Sequence, residues 1–368
     1  MPLDALSSVE INTTSIIPMT VVTAKLPIHY GGSLFPSDIK YNWNSTETKK
    51  LMIYMLSGIG QNFSELDGYE AEVKLSGWIA QERMYTKIKC CILKNSGDLI
   101  EYHEPPIVQG RQFALSESLV TCPIKSRLQD INGVVLQLNR GECPASKKLY
   151  IKVTAPIKPR NNESFAICLK ILYGHVDVRL LVEWLEYYRL IGVDKIFMHI
   201  FDLSQEVWDV LRQYTKVGFV ETRQYNYPRT VDHHLGEKIR YYYEDERVVM
   251  KDCHQRLFLF RFMYIVDMDE FLVPRKHDNV KDMMRDLTAM YPNAAGFTLV
   301  SYLFVKKIDQ TFPPFKNNSN IGGYFKRTIG MIGFRSRNKS ILLPTRVFSK
   351  ELKTHKFLTV GDYERIQL

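Results

Sequence analysis

Two aspartates one residue apart, Asp267 and Asp269, are the residues in this sequence best suited to chemistry. They directly follow an apolar run, residues 262–266, which predicts a strand buried on both faces, and Glu270 comes next. Burying three acids without partners would be costly, so we expect them beyond the strand end, facing a crevice. Hard cations such as Mg²⁺ and Mn²⁺ bind carboxylate oxygens and keep phosphate oxygens as co-ligands. The motif therefore predicts a metal–diphosphate site; the alternative interpretation of its spacing alone is a solvated surface turn.

Alternating strand and helix patterns surround this motif and must position it. Segments 164–173, 194–201 and 219–227 predict strands, while residues 177–190 and 205–214 predict helices that end before Gly192 and Gly218. A third helix is predicted near residues 248–260, directly before the Asp-x-Asp strand. This alternation predicts an α/β fold with a mostly parallel sheet and helices on both faces.

Parallel sheets bind ligands beyond the carboxyl ends of their strands. The residues that follow the first two predicted strands should therefore lie at the same edge as Asp267 and Asp269. These residues are Tyr173, Gly174, His175, Asp202 and Ser204.

The first half of the chain differs in composition and in its hydrophobic pattern. Residues 1–45 are rich in Ser, Thr, Pro and Asn and predict an extended tail or stem. Residues 46–156 contain short β-branched and aromatic runs separated by turn residues, which predicts a smaller β-rich, sandwich-like accessory domain. A Pro- and Lys-rich break at residues 155–163 marks the boundary to a second domain, residues 163–368. One or two disulfides are expected in the β-rich domain, with the pairing open among Cys90, Cys91, Cys122 and Cys143.

Net charge and composition limit the classes of ligand and the cellular setting that fit this chain. The net charge of +9 favours anionic ligands such as nucleotide sugars and phosphates, and no Lys/Arg run interleaved with aromatics indicates nucleic acid. No apolar stretch approaches the ~18 residues of a membrane span, and the first residues lack the pattern of a signal peptide. Six cysteines and six Asn-x-Ser/Thr sequons nevertheless favour a lumenal setting; the sequons are at Asn12, Asn44, Asn62, Asn162, Asn317 and Asn338.

Three blocks of the second half resemble the family 92 glycosyltransferases. They are VEWLEYYRLIGVDKIFMHIFD (182–202), KDCHQRLFLFRFMYIVDMDEFLVP (251–274) and KSILLPTRVFSKELKTHKF (339–357), and they occur in the family's order. The resemblance covers roughly residues 163–368 and is strongest for the large animal branch. The chain departs from many members in one place, where EDERVVMK (244–251) replaces a segment that carries a glutamine.

The resemblance implies a fold and an activity. The fold would be of the GT-A type, a nucleotide-sugar-binding α/β domain, and some members carry a β-rich domain before it. The reaction would be an inverting transfer of galactose from UDP-galactose, held through Mn²⁺, to a glycan on a glycoprotein or glycolipid, with a β-1,4 linkage. Family members are usually type II membrane proteins of the Golgi, so membrane contact would come only through an anchor that this chain does not contain.

The resemblance also implies roles for the acidic motif and its metal. Asp269 would be the direct metal ligand, and Asp267 a second metal-site residue that contacts the ribose or the metal's water shell. Glu270 would either orient the site or cap a helix. His355 would be the third metal ligand by its family position, although imidazole suits zinc better than Mn²⁺ and a surface histidine is the alternative.

Other residues would contact the donor and the acceptor. Arg337 and Lys339 would clamp the diphosphate, the alternative being a solvated basic loop. His175 and Asp202 would contact the nucleoside, the alternative being ordinary loop residues. Inversion needs a general base, for which Asp309 is the candidate. Family members also have cysteines at the positions of Cys168 and Cys253, which implies a disulfide between them or a pair of buried thiols.

Two further functional hypotheses stay open from the sequence. A protein of the same fold could bind glycans without turnover. A basic protein could bind nucleic acid, although the charge pattern disfavours it.

Overall fold

Two mixed β-sheets and four helices make up the described part of the chain. The computed structural model describes residues 40–42, 50–66, 69–81, 88–102, 116–138, 142–225, 241–299, 301, 338–349, 352–353 and 356–368. Both sheets lie within one compact unit, Ser33–Leu368. The predicted division at residues 155–163 falls between the two sheets and stays a prediction.

The first sheet contains eight strands and is almost entirely antiparallel. Its hydrogen-bonded path runs β5-β4-β7-β8-β2-β3-β6, with β1 on the side of β2, and the β2–β8 pair is parallel. β1 falls inside the segment predicted as a tail. The strands are β1 (Lys40–Asn42), β2 (Lys50–Leu66), β3 (Tyr69–Gln81), β4 (Ile88–Lys94), β5 (Leu99–Tyr102), β6 (Ser116–Ile124), β7 (Ile131–Leu138) and β8 (Ile151–Thr154).

This sheet folds back on itself around its own core. The disulfide Cys90–Cys122 joins β4 and β6, which lie near opposite ends of the hydrogen-bonded path. Both cysteines pack in one buried cluster with residues of β2, β3 and β7. A second disulfide, Cys91–Cys143, links the opposite face of β4 to the segment between β7 and β8. The two halves of the sheet therefore face each other, and all four cysteines of this region are paired.

The second sheet contains seven strands in the order β11-β10-β9-β12-β14-β13-β15. Neighbours are parallel except at β14, which runs antiparallel to both β12 and β13, so the sheet is mixed. The last three strands, β13 to β15, come late in the chain, after the βαβ units that the sequence pattern identifies, although β14 pairs with β12 in the sheet. The strands are β9 (Phe165–Tyr173), β10 (Lys195–Phe201), β11 (Val220–Gln224), β12 (Phe262–Val266), β13 (Ala294–Leu299), β14 (Lys339–Leu342) and β15 (Glu364–Gln367).

The helices are α1 (Val178–Leu190), α2 (Gln205–Lys216), α3 (Tyr241–Arg256) and α4 (Val280–Met290). Asp177 and Ser204 cap α1 and α2 with their side-chain oxygens, which accept hydrogen bonds from backbone N–H groups of the first turn. The sequence-based bounds of the third helix were wrong: α3 begins seven residues before residue 248 and ends four before residue 260. Its polar first turns have no apolar period that would indicate a helix. None of the described helices is long and apolar enough to cross a membrane.

Alternate residues of the second sheet enter two different cores. In β9, Phe165 and Ile167 pack with α1, α2 and α4, whereas Ala166 and Cys168 pack with α3. This two-sided burial explains why β9 and β12 are continuous apolar runs. The disulfide Cys168–Cys253 fixes α3 on β9, which confirms the pairing implied by the family resemblance.

Helix α3 lies between the two sheets. Val248 and Val249 pack with Leu56 and Trp78 of the first sheet and with Tyr225. One residue further on, the same helix carries the buried residues that pack on the second sheet. The first sheet, through α3, therefore covers the face of the second sheet that α1, α2 and α4 leave open.

His254 near the end of α3 is a buried histidine with both ring nitrogens in contact. Its Nε2 lies 3.0 Å from the carbonyl oxygen of Pro344, and its Nδ1 lies 2.7 Å from Oγ of Ser349. Burial lowers the pKa of His254 to about 4, and the positive charge of Lys74 acts in the same direction. The neutral imidazole therefore ties α3 to the segment after β14.

Acid should destabilise the fold through this histidine. The unfolded chain binds a proton at His254 below pH 6.5, whereas the folded chain stays neutral there until about pH 4, so stability falls as pH falls between these values. We expect His254→Gln to remove on the order of 3 kcal/mol of that loss. Urea unfolding at pH 7, 5 and 4 measures it. His277→Gln, which removes a partly exposed histidine elsewhere in the fold, is the comparison variant. An equally steep slope in His254→Gln would contradict the assignment.

Candidate active site

The acidic motif lies at the carboxyl edge of the second sheet. Asp267 directly follows β12, which is parallel to β9, and β9 is parallel to β10. The residues after these three strands therefore share one edge, as the sequence pattern predicts. His175 follows β9 and Asp202 follows β10 at this edge, and both are exposed.

Three aromatic side chains of α1 hold the loop that carries the motif. Trp184 Nε1 and the Tyr188 hydroxyl donate to the carbonyl oxygen of Glu270, at 3.1 and 3.0 Å. The Tyr188 oxygen accepts from the backbone N–H of Leu272 at 3.1 Å. The Tyr187 hydroxyl donates to the Leu272 carbonyl at 2.9 Å. Because these aromatic rings are themselves packed in the core, the loop has a fixed position relative to α1.

Asp267 is held between two lysines from the strands on either side of β12. Lys170 Nζ of β9 lies 2.9 Å from its Oδ1, and Lys339 Nζ of β14 lies 2.7 Å from its Oδ2. Both lysine side chains are nearly buried, with 6% and 5% of their surface exposed. Burial raises the pKa of Asp267, but the two ammonium groups outweigh it and leave the pKa below its ordinary value. Asp267 is therefore ionised at neutral pH.

Glu270 braces the same loop. Its Oε2 accepts from the backbone N–H of Asp267 at 3.0 Å and lies 2.8 Å from Lys339 Nζ. Burial raises the pKa of Glu270, and the attraction of Lys339 only partly offsets this. Of the two sequence-based roles, the structure fits orientation of the site; the next helix, α4, is capped by Asn279 instead.

Asp269 differs from its two acidic neighbours. It is exposed, and among the described residues it makes no hydrogen bond or ion pair. Two lysines pair with three carboxylates in the cluster of Asp267, Glu270, Glu246, Lys170 and Lys339, and Asp269, two residues after Asp267, adds one more negative charge, which makes the formal charge −2. Oxygen ligands and a double negative charge fit a hard divalent cation.

A third protein ligand for such a cation does not come from the described residues. Among them, the group of three metal-capable side chains found in close contact is Cys91, Glu101 and Cys143, and both cysteines are in a disulfide. The predicted third ligand His355 lies outside the described residues. So do the predicted base Asp309 and the predicted clamp residue Arg337.

The structure joins some of the sequence-predicted residues and not others. Lys339 reaches Asp267 and Glu270, as described above. His175 and Asp202 share the edge, but no hydrogen bond or ion pair links either of them to Asp267 or Asp269 in the described part of the chain. Asp202 has a left-handed backbone, with φ 50°, which is uncommon for a non-glycine residue.

Sequence reasoning missed Lys170 and Glu246. Lys170 is the one charged residue in the apolar run FAICLKILY, and a buried lysine needs an anionic partner, so a signal was present. Glu246 lies 3.0 Å from Lys170 Nζ. It is one of many acids in a polar segment, and its pairing depends on how α3 crosses β9.

Residues 163–361 match the family model described as Glycosyltransferase family 92. The match covers more than half of the 368 residues, and the protein belongs to this family.

Two relatives from Arabidopsis thaliana match a shorter part of the chain. Galactan beta-1,4-galactosyltransferase GALS2 is 25% identical over 138 residues, which are 36% of this chain and 24% of the relative. GALS3, with the same description, is 25% identical over 137 residues, 35% of this chain and 25% of the relative. The match thus spans about a quarter of each relative's length. Among solved structures, S. aureus TarS matches at TM-score 0.26 and 11% identity over 41% of this chain and 38% of that chain.

Removing the Tyr188 hydroxyl should loosen the loop. In Tyr188→Phe the N–H of Leu272 loses its acceptor, and we expect the free energy of unfolding to fall by about 1–3 kcal/mol. Urea unfolding measures this. Tyr214→Phe is the matched control because its hydroxyl donates to the partly exposed Glu186, which water can also solvate. Equal losses in the two variants would contradict a special role for Tyr188.

Proposed function

We propose that the protein is a metal-dependent, inverting galactosyltransferase with a GT-A type catalytic domain, which moves galactose from UDP-galactose to a glycan acceptor. Family membership and the printed names of both relatives support galactose transfer. The β-1,4 linkage of the relatives' names is the first one to test. The same names favour this function over glycan binding without turnover.

The observation that carries the proposal is the exposed carboxylate of Asp269, which has no partner in the part of the chain that the structure describes, beside the charge-paired Asp267. Asp269, assisted by Asp267, would hold a divalent cation such as Mn²⁺. When bound there, the cation would supply positive charge that stabilises the departing UDP. The carboxyl edge of an α/β sheet is also where such folds bind nucleotides.

The residues of the chain have separate tasks in this proposal. Lys339 uses two of its three N–H donors on Asp267 and Glu270, which leaves one for a phosphate oxygen of the donor. Arg337 would add a second contact to the diphosphate, and His355 a further ligand for the cation. His175 and Asp202, at the same edge, would contact the nucleoside.

An inverting transfer also needs a base on the acceptor side. The acceptor hydroxyl attacks the anomeric carbon, the bond to UDP breaks, and the base takes the hydroxyl proton. We assign this role to Asp309. Of the described acids after the motif, Asp282 and Asp286 are paired with Arg285 and His277, which leaves them unsuited to it.

The disulfides support a secretory setting for this activity. All six cysteines of the chain are paired, and disulfides persist mainly in oxidising compartments. Exposed sequon asparagines at Asn62 and Asn162 fit the same setting. We propose the Golgi lumen, where glycan acceptors are available.

A donor assay tests the proposal. Wild-type protein with Mn²⁺ should transfer galactose from UDP-galactose to a glycan array, and Asp269→Asn should lower the rate by about 100-fold or more. Calorimetry should show UDP binding that depends on Mn²⁺ in the wild type and is lost in the variant. Since Asp269 is exposed and makes no ion pair with any described residue, its loss should leave the thermal midpoint unchanged.

Asp278→Asn is the matched control, because Asp278 is an exposed aspartate in the segment after the same loop. It should keep wild-type transfer and UDP affinity. Full activity of Asp269→Asn, or no turnover of any UDP-sugar by the wild type, would overturn the proposed function.

A further inference from the structure

Helix α3 makes polar contacts to the first sheet along one side. Arg247 Nη1 lies 2.9 Å from Oε1 of Glu117 in β6. Gln61 Nε2 of β2 donates to Oε1 of Gln255 at 3.1 Å. The Ser57 hydroxyl of β2 donates to Oδ1 of Asp252. These contacts span about two turns of the helix, so they fix both its position along its axis and its rotation relative to the first sheet.

The central contact of the three is completely buried. Asp252 is 0% exposed, and its Oδ2 lies 2.8 Å from Nε2 of His199 in β10 and 3.1 Å from Nε of Arg256. Burial raises the pKa of Asp252, but His199, Arg223 and the hydrogen bond from Ser57 outweigh it and lower the pKa. A buried carboxylate that loses a partner is strongly destabilised. The buried carboxylate of Asp252 in α3 therefore links strand β2, through Ser57, to strand β10, through His199.

The opposite side of α3 reaches the active site. Glu246, next to Arg247, lies 3.0 Å from Lys170 Nζ, and the same nitrogen lies 2.9 Å from Asp267. The ammonium group of Lys170 thus bridges Glu246 and Asp267, so Glu246 is placed to influence where this group lies relative to Asp267.

We propose that Glu246 and Lys170 are positioning residues of the active site, and that the first sheet sets their position through α3. The β-rich region would then contribute to the geometry of the catalytic domain and would not be an independent accessory domain. Neither residue touches the reacting atoms in this proposal; both act through the carboxylate of Asp267. The inference rests on the proposed function only for its kinetic test.

The first experiment compares two buried Lys–Glu pairs. Glu246→Gln breaks the pair to Lys170, and Glu101→Gln breaks the pair of Lys89 and Glu101, which has similar burial but lies in the first sheet away from Asp267. Hydrogen exchange of peptides that cover residues 267–272 is the main measurement. We expect Glu246→Gln to speed this exchange by about threefold or more, and Glu101→Gln to leave it unchanged.

The kinetic arm uses the same two variants. Glu246→Gln should raise the KM for UDP-galactose about tenfold with kcat within about threefold, because the site is displaced but its chemical groups remain. Glu246→Asp, which keeps the charge, should recover part of the loss. Glu101→Gln should match the wild type in both constants. Equal effects of Glu246→Gln and Glu101→Gln on exchange would overturn the proposal.

A second pair of variants tests the role of the first sheet. Ser57→Ala removes a hydroxyl that donates to Asp252, whereas Ser76→Ala removes a buried hydroxyl on the neighbouring strand β3 that has no hydrogen-bond partner among the described residues. Ser57→Ala should speed exchange of residues 267–272, although Ser57 has no contact with that loop. Ser76→Ala should not. Unchanged exchange in Ser57→Ala would limit the proposal to Glu246 and Lys170 and overturn the part that concerns the first sheet.

The exchange measurement separates this inference from the proposed function. If the wild type transfers no sugar, the proposed function fails while hydrogen exchange still decides whether Glu246 positions the loop. If the wild type is active and exchange does not respond to Glu246→Gln, the function stands and the positioning proposal fails.

Discussion

The structure depends on one electrostatic constraint: acids placed at the end of a fully buried strand need fixed positive charge beside them. Lys170 and Lys339 supply it to Asp267 from the two strands that flank β12. Each lysine reaches Asp267 from a strand that is hydrogen-bonded to β12, β9 on one side and β14 on the other. The charge balance of the motif therefore depends on both neighbours of β12, including the antiparallel strand β14 that comes from the end of the chain.

The same constraint links the active site to the rest of the chain. Lys170 lies on the face of β9 that α3 covers, so its second partner, Glu246, comes from α3. Helix α3 is in turn held by a disulfide to β9 and by a buried carboxylate between β2 and β10. On the other face, the aromatic residues of α1 hold the backbone of the loop. The motif is thus fixed from both faces of the sheet, its charges through α3 and its backbone through α1.

The sequence predicted the parts of this arrangement that depend on local pattern. Apolar periodicity and caps gave α1 and α2 nearly at their observed bounds, and the run before Asp267 gave β12. Pairings between segments that are distant along the chain could not be predicted from the sequence. The start of α3 carries no apolar period because its first turns are polar, and β14 is too short and too remote from its partners to be recognised. The Lys170 signal was present in the sequence, but its partner Glu246 could be identified only once the crossing of α3 over β9 was known.

The two aspartates of the motif are physically inequivalent, although the sequence presents them as a pair. Each oxygen of Asp267 already faces an ammonium group. A cation that approached Asp267 alone would meet two like charges, each worth about 4 kcal/mol of repulsion per unit charge at 4 Å in a partly buried setting. Asp269 is open to solvent and has no such neighbour among the residues that the structure describes. In the proposed function a divalent cation would therefore bind at lower electrostatic cost through Asp269 than through Asp267, and this difference between the two aspartates follows from where the lysines lie.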